Sequence, residues 1–232
     1  MMPLSLSPFA PPSPLFPFRP PVPRSPFPWM HSLRKKMYQG IGQVETGKTL
    51  ADGFDDASMD TALWQEALNG VTSSTVEEGG FFKCLSVGAI GNRAGLATLI
   101  PHDCSDADIY VEVAANVGAA ALLQVTQSVA LDFFANDHDW FHIGKFSDTN
   151  YAVQKCVSGA ISWSLALATN NGQTGNLRLK ISGGNVTAYE DGIKRYSGNF
   201  DLAPGNLYVL CFADEDGTIS FDNFASTLRI GG

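Results

Sequence analysis

Several stretches of the chain alternate apolar and polar residues with a period of two. In Asp108-Ile-Tyr-Val-Glu-Val113 the alternation puts Ile109, Val111 and Val113 on one face. Asn176-Leu-Arg-Leu-Lys-Ile-Ser182 does the same with Leu177, Leu179 and Ile181, and Ile161, Trp163, Leu165 and Leu167 share a face opposite Ser162, Ser164, Ala166 and Ala168. Turn-forming residues stand between such stretches: Gly183-Gly184, Asp191-Gly192, Pro204-Gly205-Asn206 and Asp216-Gly217. From Ala51 onward no segment sustains a helical period. Short apolar stretches, about a dozen of them, recur at strand-and-turn spacing. Each needs one buried face, which predicts an all-β fold: a two-sheet antiparallel sandwich.

The first 30 residues follow a different rule. Pro8, Pro11, Pro14, Pro17, Pro20, Pro23 and Pro26 recur every third residue. Polyproline II has three residues per turn, so these rings line up on one edge of an extended rod, roughly 56 Å long at ~3.1 Å per residue. Large apolar residues (Phe9, Phe16, Phe18, Phe27, Trp29) and the cations Arg19 and Arg24 interleave with them, whereas an idle linker is Gly-, Ser- or charge-rich. A stiff segment loses little chain entropy on docking. The expectation is therefore an extended N-terminal polyproline II-like arm over 1–30, a linker over 31–50 and a β domain over 51–232, with the arm gripping other protein subunits.

Charge sharpens the division. Residues 1–50 carry six basic side chains against one acidic, and the remainder carries nine against 22. The acidic domain argues against nucleic acid as its partner. No apolar run approaches the roughly 20 residues that span a bilayer, which predicts no membrane partner. Prolines interrupt the opening Met1-Met2-Pro3-Leu4-Ser5, so it does not read as a signal peptide. Cys84, Cys104, Cys156 and Cys211 lack the paired spacing of a zinc site. Two disulfides are open to them, but without a secretion signal buried free thiols are the better reading.

The last third of the chain carries a resemblance. Asn176-Leu-Arg-Leu-Lys-Ile, Asn185-Val-Thr-Ala-Tyr-Glu-Asp-Gly192, Gly205-Asn-Leu-Tyr-Val-Leu-Cys-Phe and Asp216-Gly-Thr-Ile-Ser-Phe-Asp-Asn-Phe224, with the opening Asp52-Gly-Phe-Asp-Asp56 and Trp64, resemble the concanavalin A-like lectin/glucanase superfamily, including its laminin-G-like members, over about residues 51–226. The resemblance implies a jelly roll whose first strand lies beside its last, with one concave face on which many members bind carbohydrate. It also implies calcium in some members, for which Asp52, Asp55 and Asp222 supply hard oxygen ligands; otherwise no cofactor is expected.

Glycosidases of that superfamily need two carboxyls about 5–5.5 Å apart for retention or about 6.5–9.5 Å for inversion. The nearest set, Asp106, Asp108 and Glu112, shares a face, but Asp108 and Glu112 stand about 13 Å apart along a strand, and Asp106, whose spacing from Asp108 fits, follows Cys104-Ser105 at a loop end. The family's Glu-x-Asp-x-x-Glu motif is absent. His138-Asp-Trp-Phe-His142 would share a metal on a helix but not on a strand. Strand alternation puts His138, Trp140 and His142 on one face. Turned to the concave side, they form a possible glycan-binding platform of one ring and two hydrogen-bonding imidazoles. Turned inward, Trp140 is core and the histidines are incidental. Asp214-Glu-Asp216-Gly lacks the last ligand of a calcium loop and reads as a turn, and Asn185-Val-Thr187 matches a glycosylation sequon.

Together these features predict a non-catalytic structural protein of a large assembly, a virion decoration, cement or fibre-anchoring protein assembled in the host cytoplasm. It would be homo-oligomeric, held by its arm and displaying a lectin-like domain to surface glycans. The alternatives are an extracellular carbohydrate-binding module and a glycoside hydrolase.

Overall fold

A computed structural model describes residues 49–70, 73–88, 92–129, 138–145, 151–166, 174–214 and 216–230, with backbone alone for 151–152 and 162–166. The arm, from Pro8 to Trp29, lies outside the described residues, as do the linker to position 48 and Leu167-Ala168.

Fifteen strands are described, and no helix among those residues. They are β1 (Thr49–Asp52), β2 (Trp64–Asn69), β3 (Ser74–Glu77), β4 (Phe82–Ser86), β5 (Arg93–Thr98), β6 (Asp106–Val117), β7 (Ala120–Thr126), β8 (Trp140–Lys145), β9 (Tyr151–Val157), β10 (Ala160–Ala166), β11 (Gly175–Ser182), β12 (Asn185–Glu190), β13 (Ile193–Asn199), β14 (Tyr208–Asp214) and β15 (Gly217–Arg229). Sheet one runs β13-β12-β11-β6-β15-β4-β3, with β1 added beside β15, and sheet two runs β10-β9-β8-β7-β14-β5-β2. Every ladder is antiparallel. The fold is a two-sheet jelly-roll sandwich, and the first described strand lies against the last, Asp52 opposite Phe224.

Period-two burial explains the layers. On β6 and β11 the alternate residues Ile109, Val111, Val113, Leu177, Leu179 and Ile181 point inward and are buried. They meet Leu123, Val125, Phe141, Ile143, Val209 and Cys211 of sheet two in one core. At one end Trp64 sits edge-on to Phe224, ring centroids 4.9 Å apart, and Phe54 packs on Phe82 at 5.7 Å. The expected turns are present: Gly183-Gly184 joins β11 to β12 with φ of 56° and 74°, values glycine takes without strain. All four cysteines are free thiols and buried.

An ionic clasp joins the sheets. Lys145, at the end of β8 in sheet two, is 1 % exposed and reaches Glu190 Oε1 at 3.2 Å and Asp191 Oδ2 at 2.8 Å beyond β12 of sheet one. The other oxygen of Glu190 takes Arg195 Nε at 3.0 Å.

Candidate functional site

The outer face of sheet two combines a second apolar cluster with buried polar groups. On β8, Phe141 and Ile143 turn into the core, which leaves Trp140 and His142 on the outer side. The register then builds a row across the sheet: Gln65 opposite Ala97, Ala97 opposite Leu210, Leu210 opposite Gln124, Gln124 opposite His142, and His142 opposite Gln154. Ala67, Ala97, Ala120, Leu122, Trp140, Cys156, Leu210 and Phe212 form the apolar part. Small residues on β5 let this face lie flat; a Cβ on Gly95 would come within 2.2 Å of Phe212 Cβ.

The Trp140 and His142 rings stack, centroids 5.0 Å apart and 16° from parallel. His142 Nδ1–H donates to Gln124 Oε1 at 3.4 Å. Burial, and secondarily the charge of Arg93, pushes the His142 imidazole down to about 3, so it is neutral at physiological pH. Arg93 Nε is paired with Asp214 Oδ1 at 2.9 Å on the same face. Gln124 is fully buried, and its Nε2 meets no acceptor. At the mouth of β8, Asp139 holds neighbouring segments: its Oδ1 accepts from Ser158 N at 2.7 Å and its carbonyl from Gln127 N at 3.0 Å.

The structure thus brings Trp140 and His142 together on an outer sheet face, with His138 close to the strand's start. Trp140 is outside the main core, yet it is 1 % exposed and is not an open platform. Gln124 and Arg93 were not singled out from the sequence, and Asp214 only as the start of a turn; they join His142 only through the strand order, which no local pattern encodes.

The other acidic candidates lie on sheet one's outer face. Asp108 is held by Arg178, whose Nε donates at 2.7 Å and whose guanidinium also lies 5.6 Å from the Tyr189 ring centre. Glu112 stands directly opposite Asp222 across the β6–β15 ladder, and Asn223 Nδ2 donates to Glu112 Oε2 at 2.9 Å from a bulge where Asn223 has φ of 49°. The expected calcium set is not assembled. Asp52 spends its two oxygens on Phe54 N and Trp64 Nε1, both at 2.9 Å, Asp55 is exposed, and Asp222 Oδ1 accepts Asn223 N at 2.7 Å. Among the described residues no three His, Cys, Asp or Glu side chains gather as metal ligands.

No family model matches this chain, and no curated protein does. Solved structures do. The Bacillus licheniformis β-glucanase superposes with a TM-score of 0.55 at 11% identity, covering 80% of this chain and 100% of that one. The endo-β-1,3-glucanase of Pyrococcus furiosus gives 0.58 at 7% identity over 80% and 96% of the two chains. A Bacillus subtilis protein of unknown function with a galectin-like fold gives 0.57 at 8% identity over 80% and 100%. These likenesses correct the expectation of a non-catalytic virion protein. The architecture recurs among glucanases, whose sandwich carries carbohydrate chemistry, and nothing in the match points to a capsid component or rules out an enzyme. The fold of this chain is that of the concanavalin A-like lectins and glucanases.

Proposed function

We propose that this chain is a carbohydrate-active protein that seats a glycan on the outer face of sheet two, along the row from Leu210 through Gln124 and His142 to Gln154. One observation carries the reading. Gln124 Nε2 is a fully buried donor with no acceptor, an arrangement that costs about 1–3 kcal/mol and that a bound hydroxyl relieves. The stacked Trp140–His142 pair beside it offers an apolar ring and a neutral imidazole, the two surfaces a sugar ring presents needs for. The face is closed in this structure, so glycan binding requires it to open.

Glycoside hydrolysis is the reaction class that accompanies this reading. It needs a carboxyl pair. On sheet two's outer face the described residues bring Asp214, which Arg93 engages; Asp137 and Glu215 adjoin β8 and β14 in sequence and lie outside the described residues. A second location, on the opposite outer face of the sandwich and therefore with a glycan seat of its own, is favoured by Glu112 and Asp222. Directly opposed residues hold their Cβ atoms about 4.5–5.5 Å apart, a spacing compatible with a retaining pair.

The test is binding and reducing-end release on β-1,3-glucan, mixed-linkage β-glucan and a broad glycan array, using the full chain. Gln124→Met should weaken binding about tenfold, the worth of one buried hydrogen bond. Glu112→Gln should abolish release but spare binding if the second location is the hydrolytic one. The proposal fails if no glycan is bound or cut, or if Gln124→Met binds as the wild type does.

A further inference from the structure

Gln124 has one hydrogen-bonding need met and one unmet. Its Oε1 accepts from His142 Nδ1–H at 3.4 Å, while its Nε2 is fully buried and has no acceptor. What the side chain lacks is therefore an acceptor rather than a donor. The strand register sets its neighbours. Leu210 and His142 stand directly opposite it on β14 and β8, and Leu122 lies two residues back along β7 on the same face. Leu122 in turn has Phe212 on one side and Gly144 on the other. Leu122, Leu210 and Phe212 belong to one apolar cluster, and Gly144 adds no side chain beside them. The orphan donor is thus set in a largely apolar floor.

That floor discriminates between acceptors. A sugar hydroxyl can accept from Gln124 Nε2, but it brings its own O–H, which then needs a partner among Leu122, Leu210 and Phe212. An amide carbonyl only accepts. An acetamido group carries such a carbonyl with a methyl attached, so one substituent both fills the acceptor's place and covers apolar surface. We infer, on the reading that the outer face of sheet two seats a glycan, that the sugar over Gln124 is an N-acetylhexosamine, its acetamido carbonyl accepting from Gln124 Nε2 and its methyl resting on Leu122 beside Gly144. Gln154, opposite His142 and next in the row, carries a side-chain carbonyl suited to the acetamido N–H.

Charge agrees with this choice. Arg93 brings a cation to the face, and Asp214 engages it at 2.9 Å. A carboxylated or sulfated sugar would have to compete with that pairing, whereas an N-acetylhexosamine is neutral and leaves it alone.

The experiment is isothermal titration and saturation-transfer NMR of the full chain with sugars that differ only in the substituent at the second ring carbon. N-acetylchitotetraose is set against cellotetraose, which shares its β-1,4 backbone, and methyl N-acetylgalactosaminide against methyl galactoside, so the two pairs also separate the gluco from the galacto epimer. In at least one pair the acetamido sugar should bind about tenfold tighter than its hydroxyl twin, the worth of one hydrogen bond to a buried donor. Its acetyl methyl should take the strongest saturation. Gln124→Met should bring the two members of that pair to within about threefold of each other. The paired comparison is made on the wild type, so a poorly folding variant does not remove the answer. Hydroxyl sugars that bind as tightly as their acetamido twins in both pairs would overturn the inference, as would saturation confined to the ring protons. Binding of β-1,3-glucan or mixed-linkage β-glucan with neither acetamido sugar bound would also overturn it and leave the glycan seat standing. No binding of any of these sugars would overturn the seat and the inference together.

Discussion

His142 makes the stability of this protein depend on acid in a calculable way. Its imidazole is pushed from an ordinary 6.5 down to about 3 by burial and by Arg93. The folded state therefore binds this proton far more weakly than the unfolded chain. Stability is full above the unfolded value and falls as pH drops from 6.5 toward 3, where the loss saturates. At pH 5 the expected loss is about 1.5 pH units times 1.36 kcal/mol, or about 2 kcal/mol. His142→Gln keeps a group able to donate to Gln124 Oε1 and cannot titrate. Glu77 works in the opposite sense: its raised carboxyl stabilises below 4.5, and that contribution is lost as pH rises through about 7. Comparing wild type with His142→Gln at each pH cancels Glu77 and every other shared group. The assay is urea unfolding followed by circular dichroism at pH 7.5, 6.0 and 5.0. The wild type should lose about 2 kcal/mol relative to the variant across that range. Two parallel curves, within about 0.5 kcal/mol, would refute the claim that a neutral imidazole is buried there.

Two further predictions concern packing. Lys145→Met leaves Glu190 with Arg195 alone and Asp191 without its cation and should cost about 1–3 kcal/mol, and in a double-mutant cycle with Glu190→Gln the combined cost should fall well short of the sum. Chemical denaturation measures both, and additive losses would mean that the clasp does not couple the sheets. Gly95→Ala should lose at least about 3 kcal/mol or fail to fold, because its Cβ would meet the Cys211 carbonyl at 2.4 Å as well as Phe212, and neither can yield; a melting temperature equal to wild type would show that β5 and β14 can separate.

Legibility along the sequence follows the number of wet faces. β6 and β11 have one face in the core and one toward water, so Ile109, Val111, Leu177 and Leu179 announce themselves by alternation. β7, Ala120–Thr126, is buried on both faces and reads as an unpunctuated apolar run with Gln124 as its single oddity. That glutamine has no meaning until the strand order sets it opposite His142. The same holds for Lys145, which becomes a clasp only because β8 and β12 end at the same edge of the sandwich. Turns were legible because glycine, proline and aspartate carry their conformations locally. The candidate site was half legible: the His138–Trp140–His142 face could be drawn from spacing, but its burial could not. Glu77 looked like an ordinary edge-strand carboxylate, since nothing local says that a loop from β1 will lie over it.

The thirteen-residue strand β15 touches three others: β4 along its first part, β6 through its middle and β1 along its end. During synthesis, therefore, β1, β4 and β6 all emerge with an unfilled seam between them. Their ladder groups and the inward rings of Phe82 and Phe54 wait for a strand that begins only at Gly217, far along the chain from Thr49. Contacts so distant in sequence form slowly, and unpaired strand edges invite foreign strands. A ribosome stalled before Gly217 would hold a half-sandwich that aggregates rather than a smaller working domain.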